Sequence, residues 1–220
     1  MTGDGDPAAV MNASEVPEWL RDLAAAAARM DVPPAIRPPE LGGRPSAVLV
    51  LFADGPSGPD LLFIQRSQGL RRHPGQPAFP GGAIEDGDAG PIAAALREAA
   101  EETGLDPHGV EVLGALPELF IPRSGFRVTP VLAWWREPCA VGPVDIGEVA
   151  AVERIAVAEL ADPRSRLMVR GPSGRAAPAF RVRSMLIWGF TAALADRLLA
   201  LAGWELPWDA TNVRELSEGA

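Results

Sequence analysis

The sequence predicts an α/β fold, in which a mixed β-sheet is sandwiched between helices (α/β/α), with an extra helix at the N-terminus. Two observations carry this prediction. Apolar runs typical of strands outnumber helical segments, and the helical segments lie in the middle and near both ends of the chain, where they can cover both faces of a sheet. A length of 220 residues with 47% hydrophobic residues suits one domain with a real core.

Four regions follow from the composition along the chain. Residues 1–14 are predicted to be disordered, and residues 15–45 to hold the N-terminal helix and a Pro-rich link. The helix is predicted in SEVPEWLRDLAAAAARM, with Ser14 as its cap. Residues 46–205 form the predicted main domain, and residues 206–220 a C-terminal tail.

Strands are predicted where short apolar runs are bounded by turn residues. A first hairpin joins SAVLVLFA to DLLFIQRS, and a loop, GLRRHPGQPAFPGG, follows it. Further strands are predicted in VEVLGALPELFI, interrupted at Pro117, and in FRVTPVLAWWR and EVAAVERIAV. A short helix in VAELADP precedes a second hairpin of LMVRG and AFRVRS, and the last helix is predicted from about Met185 to Ala202.

The central helix is predicted in GPIAAALREAAEETG, with Pro91 in its first turn and Gly104 as its stop. A step of about 100° per residue places three carboxylates on one face, those of Glu98, Glu101 and Glu102. The face predicted to pack on the sheet contains Ile92, Leu96, Ala99 and Thr103.

These three carboxylates repel one another, by roughly 1 kcal/mol for a pair about 4 Å apart in water. Two interpretations are open at this point. The helix has a solvated acidic face in which Arg97 pairs with Glu101, or the oxygens hold a hard divalent cation such as Mg²⁺ or Mn²⁺.

Charge and composition exclude several classes of protein. The net charge is −9 and every cationic side chain is arginine, which argues against coating nucleic acid or an anionic membrane. Cys139 is the single cysteine, so an intramolecular disulfide is excluded. The first residues do not resemble a secretory signal, and Asp196 and Arg197 interrupt the most apolar stretch. The sequence therefore predicts a cytoplasmic protein.

The segment REAAEETGL, from Arg97 to Leu105, resembles the second half of the Nudix box at every fixed position. The usual box is Gly, five residues, Glu, seven residues, then Arg-Glu-apolar-any-Glu-Glu-any-Gly-apolar. Here 14 residues separate Gly82 from Arg97 where the box has 13. The early glutamate is replaced by Asp88 when counted from Gly82, or by Ala89 when counted from Arg97.

A second motif, LFIQRSQGLRRHPGQPAFPGG, resembles the segment that marks the coenzyme A branch of the Nudix hydrolases. Arg66-Ser67, Arg71, Gly75 and the Phe-Pro-Gly-Gly that ends at Gly82 keep each spacing of that segment. Two later stretches, SGFRVTPV and IWGFTA, also resemble blocks of this branch. The resemblance covers about residues 46 to 203.

The resemblance implies a Nudix fold and a coenzyme A pyrophosphatase. Such an enzyme hydrolyses the pyrophosphate of coenzyme A or acyl-CoA to 3′,5′-ADP and (acyl-)4′-phosphopantetheine. It implies that Glu98, Glu101 and Glu102, with the carbonyl of Gly82, hold Mg²⁺ or Mn²⁺. Arg97 is expected to orient these carboxylates as part of the catalytic group.

Arg66 and Arg71 are predicted to contact substrate phosphates, because an acidic protein needs a local basic patch to hold an anionic nucleotide. The alternative is that they pair with the surplus acids. Arg123 and Arg127 flank SGF and are further candidates.

The general base is open among Glu98, Glu148 and Glu153. His73 and His108 lack metal-ligand spacing, and no catalytic role is predicted for either.

Two other functions remain open from the sequence. One is hydrolysis of a different nucleotide, such as ADP-ribose, NADH or a dinucleotide. The other is a Nudix-fold binding module without turnover. A homodimer is also expected to be possible by family resemblance.

Overall fold

A computed structural model describes residues 15–70, 73–171 and 174–216. The predicted disordered start, the cap Ser14 and the candidate Arg71 lie outside these residues. The α-helices are α1 (Glu18–Ala27), α2 (Pro91–Thr103), α3 (Val157–Ala161) and α4 (Gly189–Leu201). The strands are β1 (Arg44–Gly55), β2 (Gly58–Arg66), β3 (Pro77–Ala78), β4 (Gly81–Ala83), β5 (Val110–Ala115), β6 (Leu119–Ile121), β7 (Phe126–Trp135), β8 (Val149–Ala156), β9 (Arg166–Arg170), β10 (Ala176–Val182), β11 (Met185–Ile187) and β12 (Val213–Glu215).

The larger sheet is mixed, as predicted. Its main path runs β3-β2-β1-β7-β5, and β4, β8 and β6 pair at the sides of β1, β2 and β7. Strands β1 and β7 are parallel, whereas β1 and β2 form the predicted antiparallel hairpin. A smaller sheet of order β11-β10-β9-β12 includes the predicted second hairpin, β9 and β10. The sequence predicted a single sheet, so this second sheet was not expected.

Helices cover both faces of the larger sheet, which confirms the predicted α/β/α layering. Alternate residues of β1 point to opposite cores because side chains alternate along a strand. Leu49 and Leu51 pack with the alanines of α2, while Val50 and Phe52 pack with α1 and α4. The two tryptophans at the end of β7 divide in the same way, and both are buried.

The N-terminal helix begins later than its sequence suggests. Pro17 stands at the N-cap in an extended conformation, and the first helical residue is Glu18. Trp19 then packs edge-on against Phe52 at 5.5 Å and lies 4.9 Å from Trp204, measured between ring centroids. The helix is therefore fixed both to the sheet and to the segment that follows α4.

The last helix starts at Gly189, so the prediction of a start near Met185 is wrong. Residues Met185–Ile187 form β11, which pairs with β10 through Phe180 and Ile187. An apolar run fits either structure, and the chain changes direction at Gly189, whose φ of 67° favours glycine. Within the described residues, no helix has the length and apolar content needed to cross a membrane.

Two short strands, β3 and β4, occur in the segment predicted as a loop. The buried face of α2 also differs from the prediction. Ile92 is 39% exposed, whereas Ala94, Ala95 and Glu102 are buried. The buried side of α2 is thus rotated toward the carboxylates. The small alanines on this side let the helix lie close to the sheet.

The smaller sheet is tied to α4 by a buried arginine. The Arg166 side chain is fully buried, contacts the carboxylate of Asp196 on α4, and lies 3.5 Å from Glu205. Its guanidinium also lies over the rings of Phe180 and Trp208, at 4.9 and 4.5 Å from their centroids. Removing one partner of a buried ion pair leaves an uncompensated charge.

We expect Asp196→Ala to lower the free energy of unfolding by about 3 kcal/mol, because the Arg166 charge stays buried with less compensation. Urea unfolding followed by circular dichroism measures this change. Asp22→Ala, on the exposed face of α1, is the matched control and should change stability by less than about 0.5 kcal/mol. An equal change in the free energy of unfolding of the two variants would contradict the stabilising role of the Arg166–Asp196 pair.

Candidate active site

The site forms where β4 meets the C-terminal half of α2. Gly81 and Gly82 pair with Val48 and Ala47 of β1. A Cβ atom on Gly81 would overlap the carbonyl of Ala47, and one on Gly82 would overlap the carboxylate of Glu98. Glycine is therefore required at position 81, and a side chain at position 82 would displace the Glu98 carboxylate.

Arg97 organises the acidic side chains around it. Its Nε and Nη2 donate to the Asp88 carboxylate at 3.0 Å each, and Nη1 donates to Glu98 and Glu101 at 3.1 Å each. Nη2 also donates to the carbonyl of Ala83 at 3.0 Å. These five bonds equal the five N–H donors of a guanidinium. The predicted Arg97–Glu101 pair is confirmed, and the geometry fits an orienting role for Arg97.

The early acid of the motif is Asp88 rather than Ala89. Its carboxylate accepts the paired bonds from Arg97 and a 2.8 Å bond from the N–H of Glu85. The Arg97 guanidinium holds the pKa of Asp88 below its usual value. Asp88 lies behind the arginine, so it positions the other carboxylates indirectly.

Glu102 is a buried carboxylate, 8% exposed, that accepts a 2.9 Å bond from the N–H of Gly81. Burial raises its pKa to about 7; the Gly81 N–H and the Arg66 guanidinium oppose this shift. Burial also raises the pKa of Glu98. Both carboxylates are therefore held where negative charge is disfavoured and a cation would stabilise it.

The donor set fits a hard divalent cation. Glu98 and Glu102 offer carboxylate oxygens beside the Gly81–Gly82 backbone, and Mg²⁺ and Mn²⁺ prefer such oxygen ligands. Glu101 is 59% exposed and bonded to Arg97. Among the described residues, no group of three or more His, Cys, Asp or Glu side chains is already arranged to hold a metal ion. The roles of Glu101 and of the Gly82 carbonyl as ligands stay predictions.

Arg66 lies next to these carboxylates. Its Nη1 is 3.8 Å from Glu102, and its Nε is buried without a hydrogen-bond partner in the described structure. Arg127 is bonded to Glu118 at 2.7 Å. Arg123, in contrast, lines the cavity beside the site. Contacts of Arg66 and Arg71 with phosphate stay predictions.

The structure separates the two later acids named as candidate bases. Glu148 is close enough to Glu102 for its charge to raise the pKa of that carboxyl. Its loop is anchored by Ser67, whose N–H donates to the Glu148 carbonyl at 2.9 Å. Glu153 instead pairs with Arg183 at 2.6 Å. Glu98 and Glu148 are therefore the acids placed near the site.

A cavity of about 450 Å³ opens beside the Gly81–Gly82 edge. It lies on the face of the sheet opposite α2, since Val48 and Val128 line it from the strands. The turn before β7 contributes another wall, and the start of α4 a third, from Trp188 to Thr191. The pair of carboxylates and the cavity thus meet at one strand, β4.

Several cavity residues were missed by the sequence reasoning. His73 received no role, yet it lines the cavity and its Nδ1 lies 2.8 Å from the side-chain oxygen of Gln76. Phe126 and Phe190 line it as well. Both belong to the stretches SGFRVTPV and IWGFTA, which resemblance selected without assigning them a function.

Comparisons with known proteins agree with this architecture. The family model of the NUDIX domain matches residues 43–171, more than half of the chain. The uncharacterized Nudix hydrolase NudL of Escherichia coli K12 is 50% identical over 99 residues, which cover 45% of this chain and 50% of NudL. NudL of Shigella boydii serotype 4 gives the same values. The chain therefore spans about half the length of the curated relatives it matches.

A solved structure is similar over a longer range. The crystal structure of the Nudix hydrolase RenU from M. smegmatis has a TM-score of 0.53 and 23% sequence identity, and the match covers 77% of this chain and 91% of RenU. At this identity the likeness bears on the fold alone. Together with the domain match over residues 43–171, it leads to one conclusion: the chain belongs to the NUDIX family.

Proposed function

We propose that this protein is a divalent-metal-dependent pyrophosphohydrolase that cleaves coenzyme A or acyl-CoA to 3′,5′-ADP and (acyl-)4′-phosphopantetheine. One observation carries the proposal: the buried carboxylate of Glu102 and the half-buried one of Glu98 lie at the Gly81–Gly82 edge, which also lines the cavity together with Arg66. The motif from Arg66 to Gly82 supports coenzyme A as the substrate.

In the proposed reaction, water attacks one phosphorus of the pyrophosphate and the bond from that phosphorus to the bridging oxygen breaks. Glu98 and Glu102 would hold Mg²⁺ or Mn²⁺, which when bound would supply Lewis-acid stabilisation of the phosphate oxygens and activation of the water. Arg97 fixes Glu98 and Glu101, and Arg66 contacts a phosphate oxygen from the side of β2.

The proton of the attacking water goes to a carboxylate near the site. We propose Glu98 or Glu148 for this role; the effect of their charges on the pKa of Glu102 supports this, as does the pairing of Glu153 with Arg183. A cytoplasmic location and a homodimer stay predictions.

A substrate panel tests the proposed function. We expect the purified protein with Mg²⁺ or Mn²⁺ to cleave coenzyme A with a higher kcat/KM than ADP-ribose, NADH or a dinucleotide, with chromatography identifying the two products. Preferred cleavage of ADP-ribose or of another nucleotide would overturn the assignment of coenzyme A. Binding of these nucleotides without turnover of any of them would identify a binding module instead.

Replacing Glu98 or Glu102 should abolish most of the activity. We expect Glu98→Gln and Glu102→Gln each to lower kcat/KM at least about 100-fold, because each loses one charged ligand that stabilises the transition state. Steady-state kinetics on coenzyme A measure this loss. Glu111→Gln, at an exposed position of β5, is the matched control and should keep near-normal activity. Activity of Glu102→Gln equal to that of the control would contradict the site.

The metal-free protein should become less stable as the pH rises from about 4.5 to about 7. In this window the native state retains a proton on Glu102, with a pKa of about 7, that the unfolded chain has released near 4.5. The unfolded state then binds fewer protons, so the free energy of unfolding decreases with pH, by at most about 3 kcal/mol. Urea unfolding in EDTA at several pH values measures it.

Glu102→Gln provides the comparison for this pH series. The variant cannot titrate at position 102, so its stability should depend less on pH between 5 and 7 than that of the natural protein. Parallel pH profiles for the two proteins would show that Glu102 does not carry the effect.

A further inference from the structure

We propose that the first turn of α4 recognises the non-nucleotide arm of the substrate, a linear chain of peptide-like amides and methylenes that ends in a thiol or thioester. The inference rests on the proposed function. It states which end of the coenzyme A molecule the cavity binds. The residues concerned are Gly189, Phe190 and Thr191. They lie beyond residues 43–171, the part matched by the NUDIX model.

Thr191 supplies a hydrogen-bonding group inside the cavity. The residue is 7% exposed and lines the cavity, and within the described structure its hydroxyl has no hydrogen-bond partner. A hydroxyl at a cavity wall that makes no bond within the protein is available to a ligand. A ligand amide offers both a donor and an acceptor, and a hydroxyl can serve either.

The backbone of the same turn offers further donors. The N-terminal N–H groups of a helix lack partners within the helix. The N-cap residue of α4 is Trp188, and no side chain caps this end. The uncapped turn and the Thr191 hydroxyl are thus two separate sources of hydrogen bonds at one wall, suited to the carbonyl oxygens of amides.

The sheet side of the cavity suits a flexible chain, while Trp188 and Phe190 form an aromatic wall at the start of α4. Two of the aromatic rings already have a partner on one face: Phe79 stacks on Phe63 at 4.8 Å between ring centroids, and the Arg44 guanidinium lies 4.1 Å from the Phe126 centroid. The strands contribute aliphatic side chains such as Val128. Apolar walls with a few placed polar groups suit methylenes separated by amides.

The cavity also extends far enough from the carboxylates. Val48 of β1 pairs with Gly81 at the catalytic edge, and Arg44 of the same strand pairs with Phe126 at the other side of the cavity. Four residues along a strand span about 13 Å. An extended arm attached to a phosphate at Gly81 would therefore pass Phe126 and reach the walls beyond it. The nucleotide then lies on the other side of the pyrophosphate, outside the cavity.

The test compares the two products as ligands. Isothermal titration calorimetry in Mg²⁺ measures the Kd of 4′-phosphopantetheine and of 3′,5′-ADP for the natural protein and for Thr191→Val, which removes the hydroxyl with little change in shape. We expect about threefold to tenfold weaker binding of 4′-phosphopantetheine and unchanged binding of 3′,5′-ADP. Thr211→Val, at an exposed position after α4, is the matched control and should alter neither Kd.

A second variant, Phe190→Ala, opens the same wall and should weaken 4′-phosphopantetheine binding selectively too. The assignment is overturned if Thr191→Val weakens 3′,5′-ADP instead, if it changes both ligands equally, or if it changes neither. It is also overturned if 4′-phosphopantetheine does not bind the natural protein.

Turnover of coenzyme A is measured on the same preparation, which separates this inference from the proposed function. Cleavage of coenzyme A without a selective effect of Thr191→Val would sink the cavity assignment and leave the proposed function standing. Selective binding of 4′-phosphopantetheine without cleavage of coenzyme A would do the reverse.

Discussion

The hydrogen bond from the Gly81 N–H to the buried Glu102 carboxylate joins the acidic helix to the sheet, and the arrangement of the site depends on it. Burial disfavours the charge of Glu102, and the bond at 2.9 Å returns part of that cost. The bond forms only if α2 lies close to β4, which small residues permit: Ala99 on the helix and glycine at position 81. Close packing and the hydrogen bond to Glu102 therefore both require small residues at this contact.

The sequence predicted the position of α2 and its acids, but not which face of the helix is buried. Helical periodicity assigns charged residues to solvent and apolar residues to the core. Ala99 and Thr103 are buried as predicted, whereas Ile92 is exposed and Glu102, which the rule assigns to the polar side, is buried. The rule fails at Glu102 because its hydrogen-bond partner, the N–H of Gly81, lies on another segment of the chain.

The ends of the chain were predicted less well for a different reason. Met185–Ile187 is apolar in a way that fits a helix, and its pairing with Phe180 depends on β10, which is known only once the chain is folded. The cavity likewise joins residues that are far apart in the sequence, from the turn before β7 to the start of α4. Motifs located these stretches, and the fold brought them together.

Charge bears on how the proposed site could hold an anionic ligand. The protein carries a net charge of −9, and much of its arginine is used internally: Arg97 makes five bonds to its own chain, and Arg166 and Arg183 pair with half-buried acids. Positive charge for an anionic ligand must therefore be supplied locally. Arg66 is the arginine proposed for this role: its contact with Glu102 is loose at 3.8 Å, so a cation that neutralised Glu102 would leave the guanidinium available to phosphate. An acidic protein can bind an anion where its positive charges lie within a few ångströms of the bound group.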